Sequence, residues 1–480
     1  MSATPFYITT TLPYVNAPLH MGHALEFIRA DALARYKMLQ GYDVFFNTGT
    51  DEHGQKIAQK ATEQGVEPQA FVDAGFATFK KQVAAFGINP EAHFVRTTDV
   101  HHVAAAQEFW RRVDKNGYIY KKNYQAKYCV GCESEKTDSE LVDGRCPLHP
   151  TLELELIDEK NYFFKLSALQ NELLALYERT PDLIVPEFRF NEMKAFIERG
   201  LEDFSISRLA DKMSWGVAVP DDDTQVMYVW FDALTNYIST LGWPEQSELF
   251  DRFWVQGTPT QYCGKDNTRF QGIIWQAMLI AAGLPTSRRI IVNGFITGKG
   301  GVRMSKTLGN VVDPLVIAKE YGTDALRLFL LKEVSSFEDS PFAVERFREA
   351  CNANLANGLG NLASRILTLA EKYIEPVVVE KSTVLIAHIA PLMESFDIQK
   401  ALAAIWEEIA DMDKTIAQTR PFAVIKEDEA KGRKMITHLI QRLAGVAYAL
   451  TPFLPDTSAR ILSLIRDNKK PDAPLFVRLD

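Results

Sequence analysis

Phe6-Tyr7-Ile8, Leu12-Pro13-Tyr14-Val15-Asn16-Ala17-Pro18 and His20-Met21-Gly22-His23 follow one another near the start of the chain. The first is a β-rich run, the second is too rich in breakers to continue it, and a helical pattern runs from about Gly22 to Leu39. This is strand, loop, helix. Val44-Phe45-Phe46 repeats the arrangement, ending at Thr48-Gly49-Thr50-Asp51-Glu52-His53-Gly54 before another helical stretch. Alternating β and α predicts a parallel sheet with helices on both faces.

Polar and charged residues crowd the stretch from about Lys115 to Asp158, which reads as an insertion with its own fold. The β/α pattern is expected to resume from Val226 through Trp254-Val255 and Ile290-Ile291-Val292, so the insertion splits one sheet in two. After about Ala350 the strand signals fade. Leu355, Leu359, Leu362, Ile366 and Leu369 recur at spacings of four and three, as do Leu402, Ile405, Ile409, Met412 and Ile416, and again Leu439, Leu443, Val446 and Leu450. That spacing predicts an antiparallel helical bundle, interrupted at Pro421 and Pro452.

Composition fits this plan. The chain has 480 residues, 46% hydrophobic and 24% charged, enough for roughly three domains. The longest apolar stretch, Gly272 to Pro285, is broken by Gln276 and is too short to span a bilayer. No Lys or Arg precedes Arg29 and no apolar segment leads to a cleavage site, so no secretory signal is read and a cytoplasmic protein is expected. Net charge is −9, which argues against a wholesale polyanion binder. From Cys351 onward 16 basic residues balance 16 acidic ones, so a nucleic-acid surface has to be a local stripe.

Three short motifs carry chemistry. His20-Met21-Gly22-His23 sits where a loop becomes a helix, whose free N–H groups and dipole suit phosphate. A helix cap with one partly buried histidine fits the same residues. Gly300-Gly301-Val302-Arg303-Met304-Ser305-Lys306-Thr307 is a glycine-flexed basic loop able to swing Arg303 and Lys306 onto a polyphosphate, or simply a solvated loop. Cys263-Gly264-Lys265-Asp266-Asn267 places Asp266 at a strand end, where open α/β sheets bind nucleotides; a tight turn also explains it. Separately, Cys129-Val130-Gly131-Cys132 and Cys146-Pro147-Leu148-His149 offer three thiolates and one imidazole in two knuckles. Four such ligands close a tetrahedral structural zinc site, one Zn²⁺ per chain. Cys263 and Cys351 are lone residues and read as buried neighbours of the fold.

Taken together and in this order, the motifs resemble those of the class I aminoacyl-tRNA synthetases, and the likeness to the methionyl family covers nearly the whole chain. Leu12-Pro13-Tyr14-Val15-Asn16 ahead of His20-Met21-Gly22-His23 resembles that family's first signature, and Arg303-Met304-Ser305-Lys306-Thr307 its KMSKS loop. The resemblance implies catalytic roles for His20, His23 and Lys306, and ATP contacts from Asn16, Gly22, Gly264, Lys265, Asp266, Arg303, Ser305 and Lys306. It implies a methionine pocket in which Asp51 meets the ammonium. Leu12, Tyr14, Trp230, Ala233, Tyr237, Phe270, Gln271 and Trp275 then line the side-chain end. Gln271 departs from the histidine that bacterial members carry there. Asn361 and Arg365, at i and i+4, match residues that contact the anticodon, and Phe422 stands where the family has a stacking tryptophan.

The implied plan is a Rossmann-type doubly wound parallel sheet in halves 1–114 and 226–297. A zinc-binding connective insertion occupies 115–225, the KMSKS and stem-contact region 298–350, and an all-α anticodon-binding bundle 351–480. The implied activity joins methionine, ATP with Mg²⁺, and initiator and elongator tRNA(Met). With no further dimerising domain after the bundle, a monomer without membrane contact is expected. The alternatives are a class I synthetase for another apolar or thiol amino acid, and a catalytically silent tRNA-binding paralogue.

Overall fold

The computed structural model describes residues 3–132, 134–136, 138–245, 247–301, 312–377 and 383–479. The sheet strands are β1 (Pro5–Thr10), β2 (Asp43–Thr50) and β3 (His93–Arg96), then, beyond the hairpin β4 (Ile119–Cys129) and β5 (Glu155–Phe164), β6 (Ile184–Val185), β7 (Pro259–Gly264) and β8 (Arg289–Asn293). The six form one sheet in the order β3-β2-β1-β7-β8-β6, every pair parallel. The chain winds outward from β1 in one direction and from β7 in the other. The crevice between them, at their carboxyl ends, is where an open α/β sheet takes a ligand.

Helix α1 (Met21–Leu39) follows β1. It is buried almost all round, with Leu25, Phe27, Ile28, Ala32 and Leu33 in the core, because the sheet lies on one side and residues 325–334 on the other. Its polar residues are matched individually. The Arg29 guanidinium donates to the carbonyls of Leu330, Val334, Ser335 and Ser336. The Asp31 carboxylate pairs with Arg327 at 2.8 Å, both fully buried, and Arg327 also donates to Pro452 and Phe453 of the C-terminal bundle. Buried charges survive only when paired in this way.

Three expectations need adjustment. Trp254-Val255 is not a strand: it ends a helical turn, Phe250–Val255, with the Trp254 indole packed against Tyr7 and Trp275. The true strand is β7, whose Thr260 and Gln261 are polar yet buried, so hydropathy did not mark it. Val226 belongs to a small antiparallel sheet with Ser207–Leu209. Lastly, β6 joins the parallel sheet from inside residues 115–225.

The β4/β5 hairpin is long and antiparallel, and carries the cysteine cluster near its tip. The C-terminal helices α2 (Asn361–Tyr373), α3 (Ile398–Thr419), α4 (Pro421–Glu427) and α5 (Glu429–Leu450) bury the expected stripe, except that Leu369 is half-exposed and Leu367 and Ala370 fill its place. Pro421 starts α4 and Pro452 follows the end of α5. Among the described residues no helix is long and apolar enough to cross a membrane.

Candidate active site

At the mouth of the crevice His20 is the N-cap of α1. Its Nδ1 accepts from the N–H groups of Gly22 (3.1 Å) and His23 (3.3 Å), and His23 Nδ1 accepts in return from His20 N–H (3.3 Å). The two rings stack with centroids 3.7 Å apart. Because both Nδ1 atoms accept, each neutral ring carries its proton on Nε2, the donor it offers the cavity. Burial, and the His20 ring beside it, push the His23 imidazole well below its ordinary 6.5, so it is neutral at physiological pH. Gly22 gives the ring its room: a Cβ there would sit 3.0 Å from the His20 ring, which would have to shift by a few tenths of an ångström.

One turn further along α1, Glu26 joins the ends of the two central strands. Its carboxyl accepts from Thr11 N–H (2.7 Å), Thr11 Oγ1 (2.6 Å) and Gly264 N–H (3.1 Å). Burial outweighs these donors and, with Asp266 nearby, pushes Glu26 up to about 8. Glu26 was not legible as a motif, although its i+3 spacing from His23 on a helix that enters the crevice is a usable signal.

Beyond Glu26 lies a cavity of about 250 Å³. His20, Gly22, His23, Gly264 and Asp266 line it together with Leu12, Tyr14, Asp51, Trp230, Ala233, Tyr237 and Gln271. Thr11, Asn236, Asn267, Asn293 and Phe295 also line it and were not singled out; Asn293 ends β8, where the strand-end rule points. Asp51, directly after β2, is 2% exposed, and the backbone around it bridges to the Pro13–Val15 loop. Phe270 and Trp275 stand outside this lining. Phe270 stacks on Trp230 at 4.1 Å, and Trp275 is wholly buried against Tyr237 (5.8 Å) and Phe109 (5.6 Å). Asn16 borders a neighbouring cavity, its carbonyl accepting from Lys60. Lys265 pairs with Asp339 at 2.7 Å. Arg303, Ser305 and Lys306 lie outside the described residues.

The Trp230–Ala233 turn is anchored from behind. Asp232, 1% exposed, bonds His53 Nδ1 at 2.6 Å and His102 Nε2 at 2.8 Å. Burial disfavours its charge, but the two imidazoles prevail and hold the carboxyl at about 2.

In the hairpin, Cys129, Cys132, Cys146 and His149 place their ligand atoms within 4.8 Å of one another. Cys132 Sγ is 3.4 Å from Cys146 Sγ and 3.2 Å from His149 Nδ1, and Cys129 Sγ is 3.8 Å from the same nitrogen. Cys146 Sγ lies 4.0 Å from that nitrogen, so the separations fall around the roughly 3.3 to 3.8 Å edge of a tetrahedral ion with bonds of about 2.0 to 2.3 Å, and the donor set could close on a metal. The knuckle also reaches the cavity. Lys56 donates to Gly131 O at 2.5 Å while its ammonium lies 5.7 Å from the Tyr14 ring, and Tyr128 and Val130 share an apolar cluster with Tyr14 and Trp230.

In the bundle, Asn361 is exposed at the start of α2 and Arg365 pairs with Asp413 of α3. Phe422 is 41% exposed on α4, below the Arg420 guanidinium.

A twofold-wound sheet with a stacked histidine pair at its switch point is the architecture of class I tRNA synthetases, and the family model for tRNA synthetases class I (M) matches residues 6–155 and 151–367. The chain belongs to this methionyl family of class I synthetases. The methionine–tRNA ligase of Caldanaerobacter subterraneus subsp. tengcongensis is 40% identical over 472 residues, 95% of this chain and 73% of that protein. That of Mesorhizobium japonicum is 40% identical over 483 residues, 97% of this chain and 92% of the other. Among solved structures, Mycobacterium tuberculosis methionyl-tRNA synthetase in complex with methionyl-adenylate superposes with a TM-score of 0.90 at 38% identity, covering 96% of this chain and 93% of that one.

Proposed function

We propose that this chain is a methionine–tRNA ligase: it activates L-methionine with ATP to methionyl-adenylate and transfers the methionyl group to the 3′ end of tRNA(Met). The observation that carries this reading is one cavity lined both by a stacked histidine pair and by a buried carboxylate with aromatic side chains. The methionine carboxylate attacks the α-phosphorus of ATP, which arrives as its magnesium complex, and pyrophosphate leaves. The terminal adenosine hydroxyl then takes the methionyl group and AMP leaves. No covalent enzyme intermediate is needed, so the protein's work is positioning and charge stabilisation. Nε2–H of His20 and His23 meets the phosphates, Asp266 the ribose, and Asp51 the ammonium. Leu12, Tyr14, Trp230, Ala233, Tyr237 and Gln271 hold the thioether chain, with Phe270 and Trp275 backing that wall. Arg303, Ser305 and Lys306 are assigned to the departing pyrophosphate, and Asn16 and Lys265 to support of the ATP end. Asn361, Arg365 and Phe422 read the anticodon. The domain division set out from the sequence is kept, with β6 counted to the sheet. The enzyme works as a cytoplasmic monomer, with initiator and elongator tRNA(Met) as its partners. Charging of bulk bacterial tRNA with labelled methionine, through an alkali-labile ester, tests the reading; labelling by another amino acid overturns it.

Glu26 gives this site a pH signature. Its carboxyl is neutral at pH 7 and ionises as pH rises through about 8, adding a second negative charge beside Asp266. The KM for ATP should therefore rise between pH 7 and 9 and stay flat in Glu26→Gln. For folding the same shift stabilises fully below the ordinary 4.5 and is lost as pH climbs to about 8.

Zn²⁺ suits the four knuckle ligands, and with no open coordination position its role is structural: it fixes the hairpin that packs on Tyr14 and Trp230. Gly131 makes this testable, since a Cβ there would sit 2.4 Å from the His149 ring. Gly131→Ala should purify with well under one zinc per chain and a lowered Tm, against about one in the native protein.

A further inference from the structure

Three stretches that line the cavity, distant in sequence, are tied to one another outside its lining by a hub of four buried side chains. Asp232 lies between Trp230 and Ala233 in the helical turn Val229–Leu234, His53 follows Asp51 by two residues, and Ser239 follows Tyr237 by two. His102, on the helix Val100–Lys115, completes the hub. One oxygen of the Asp232 carboxylate meets His53 Nδ1 at 2.6 Å, the other meets His102 Nε2 at 2.8 Å, and His102 Nδ1 bonds Ser239 Oγ at 2.8 Å. The two imidazoles hold this carboxylate below its ordinary range, so it is ionised and can only accept; the nitrogens that face it carry protons. All four residues are buried and none lines the cavity. Glu52, between Asp51 and His53, is fixed from the other side. Its carboxylate accepts from Thr50 Oγ1 (2.7 Å) and Arg96 Nε (2.8 Å), and its carbonyl from the Trp215 indole (2.6 Å). Gly54 N–H closes back on the Trp215 carbonyl at 3.0 Å, and the Trp215 ring lies edge-on to His53 at 5.7 Å. The chain on the C-terminal side of Asp51 is thus braced, and the His53–Asp232 bond joins it to the turn that carries Trp230 and Ala233.

We propose that His53 and His102, through Asp232 and Ser239, are positioning residues that set the span of the amino-acid pocket, from the Asp51 carboxylate to the wall of Trp230, Ala233 and Tyr237, and so decide the length of side chain the enzyme accepts. The inference rests on the methionine reading of the cavity, in which Asp51 holds the ammonium and that wall the thioether chain. A side chain of the right length then bridges two surfaces held at a fixed separation, whereas walls held by apolar packing alone would yield to a methylene more or less. Contacting residues stay within a fraction of an ångström of their working positions when hydrogen bonds behind them lock their segments. His102 serves all three stretches at once, since its two ring nitrogens reach Asp232 and Ser239 and Asp232 reaches His53.

S-Methylcysteine, one methylene shorter than methionine, and ethionine, one longer, are the probes. The kcat/KM of ATP–pyrophosphate exchange is measured with all three amino acids for the native enzyme, His53→Ala, His53→Asn and Ser239→Ala. The asparagine Nδ2 falls where His53 Nδ1 does, so His53→Asn keeps a donor for Asp232 and His53→Ala removes it; Ser239→Ala frees the Tyr237 segment from His102. In His53→Ala and Ser239→Ala the preference for methionine over both probes is expected to fall about three- to tenfold, part of the roughly 10- to 200-fold that one methylene is worth in an apolar pocket. The KM for methionine should rise while that for ATP changes less than about twofold, and His53→Asn should restore the preference to within about twofold of native. Equal losses for all three amino acids would mean the hub only supports the fold, and a defect in His53→Asn as large as in His53→Ala would mean the bond to Asp232 is not its cause; either overturns the proposal. Ser239→Ala removes a single hydroxyl and carries the test should His53→Ala fail to fold. Absence of methionine exchange in the native enzyme would instead refute the ligase reading itself.

Discussion

Asp51→Asn is expected to lower kcat/KM for methionine by about two orders of magnitude or more, with the KM for ATP nearly unchanged. The Asp51 carboxylate is buried directly after β2 and lines the cavity, where the proposed reading has it meet the substrate ammonium. An amino acid's ammonium brought beside it forms a desolvated pair, and removing one charge from such a pair costs about 3 kcal/mol or more, a factor above roughly 10². Asparagine keeps the shape and one oxygen, so the fold around the Pro13–Val15 loop survives and the loss reports the charge alone. Amino-acid titrations of the exchange rate at saturating ATP give the answer; a loss below tenfold would place the ammonium elsewhere.

His23→Ala should slow adenylate formation by roughly 10² to 10³ in a single turnover, with methionine binding intact. That is the usual effect of deleting one donor aimed at charge that grows in a transition state. His23 suits the role because its ring is held neutral, with Nδ1 accepting from the His20 N–H and Nε2–H left to donate. His20→Ala is a less clean experiment. It also removes the N-cap of α1, which costs about 1 kcal/mol of stability on its own account. If His23→Ala raised the methionine KM and left the single-turnover rate alone, the ring would be part of the amino-acid pocket and not of the phosphate end.

The sequence carried the fold wherever apolar periodicity was strong. Phe6-Tyr7-Ile8, the helix from Gly22 and the bundle stripes Leu402 to Ile416 and Leu439 to Leu450 all stand where their spacing put them. It misplaced β7, whose central residues Thr260 and Gln261 are polar and buried. A strand buried on both faces, whose polar side chains find partners around it, Thr260 at the Thr258 carbonyl and Gln261 at Gln271 and Ser287, leaves no alternation of hydropathy to read. Trp254-Val255, apolar and β-branched, drew the assignment instead, although the indole is buried from a helical turn. Of the residues that line the cavity, those in contiguous motifs were legible: His20, Gly22 and His23, Gly264 and Asp266, Trp230, Ala233 and Tyr237. The rest needed three dimensions. Glu26 meets Thr11 and Gly264 only because β1 and β7 are neighbours in the sheet, with Tyr7 opposite Pro259, far beyond any local pattern's reach. Likewise Ser287 and Gln261 are joined to Gln271 only by the packing of β7 against the helix that follows it.

The most direct test of the central claim is ATP–pyrophosphate exchange with each of the twenty amino acids in turn, without tRNA. Methionine alone should drive exchange well above background, because Asp51, the aromatic pocket and the histidine pair meet in one cavity. Exchange driven by a different amino acid would contradict the pocket while sparing the phosphate end, and no exchange with any of the twenty would contradict the enzyme.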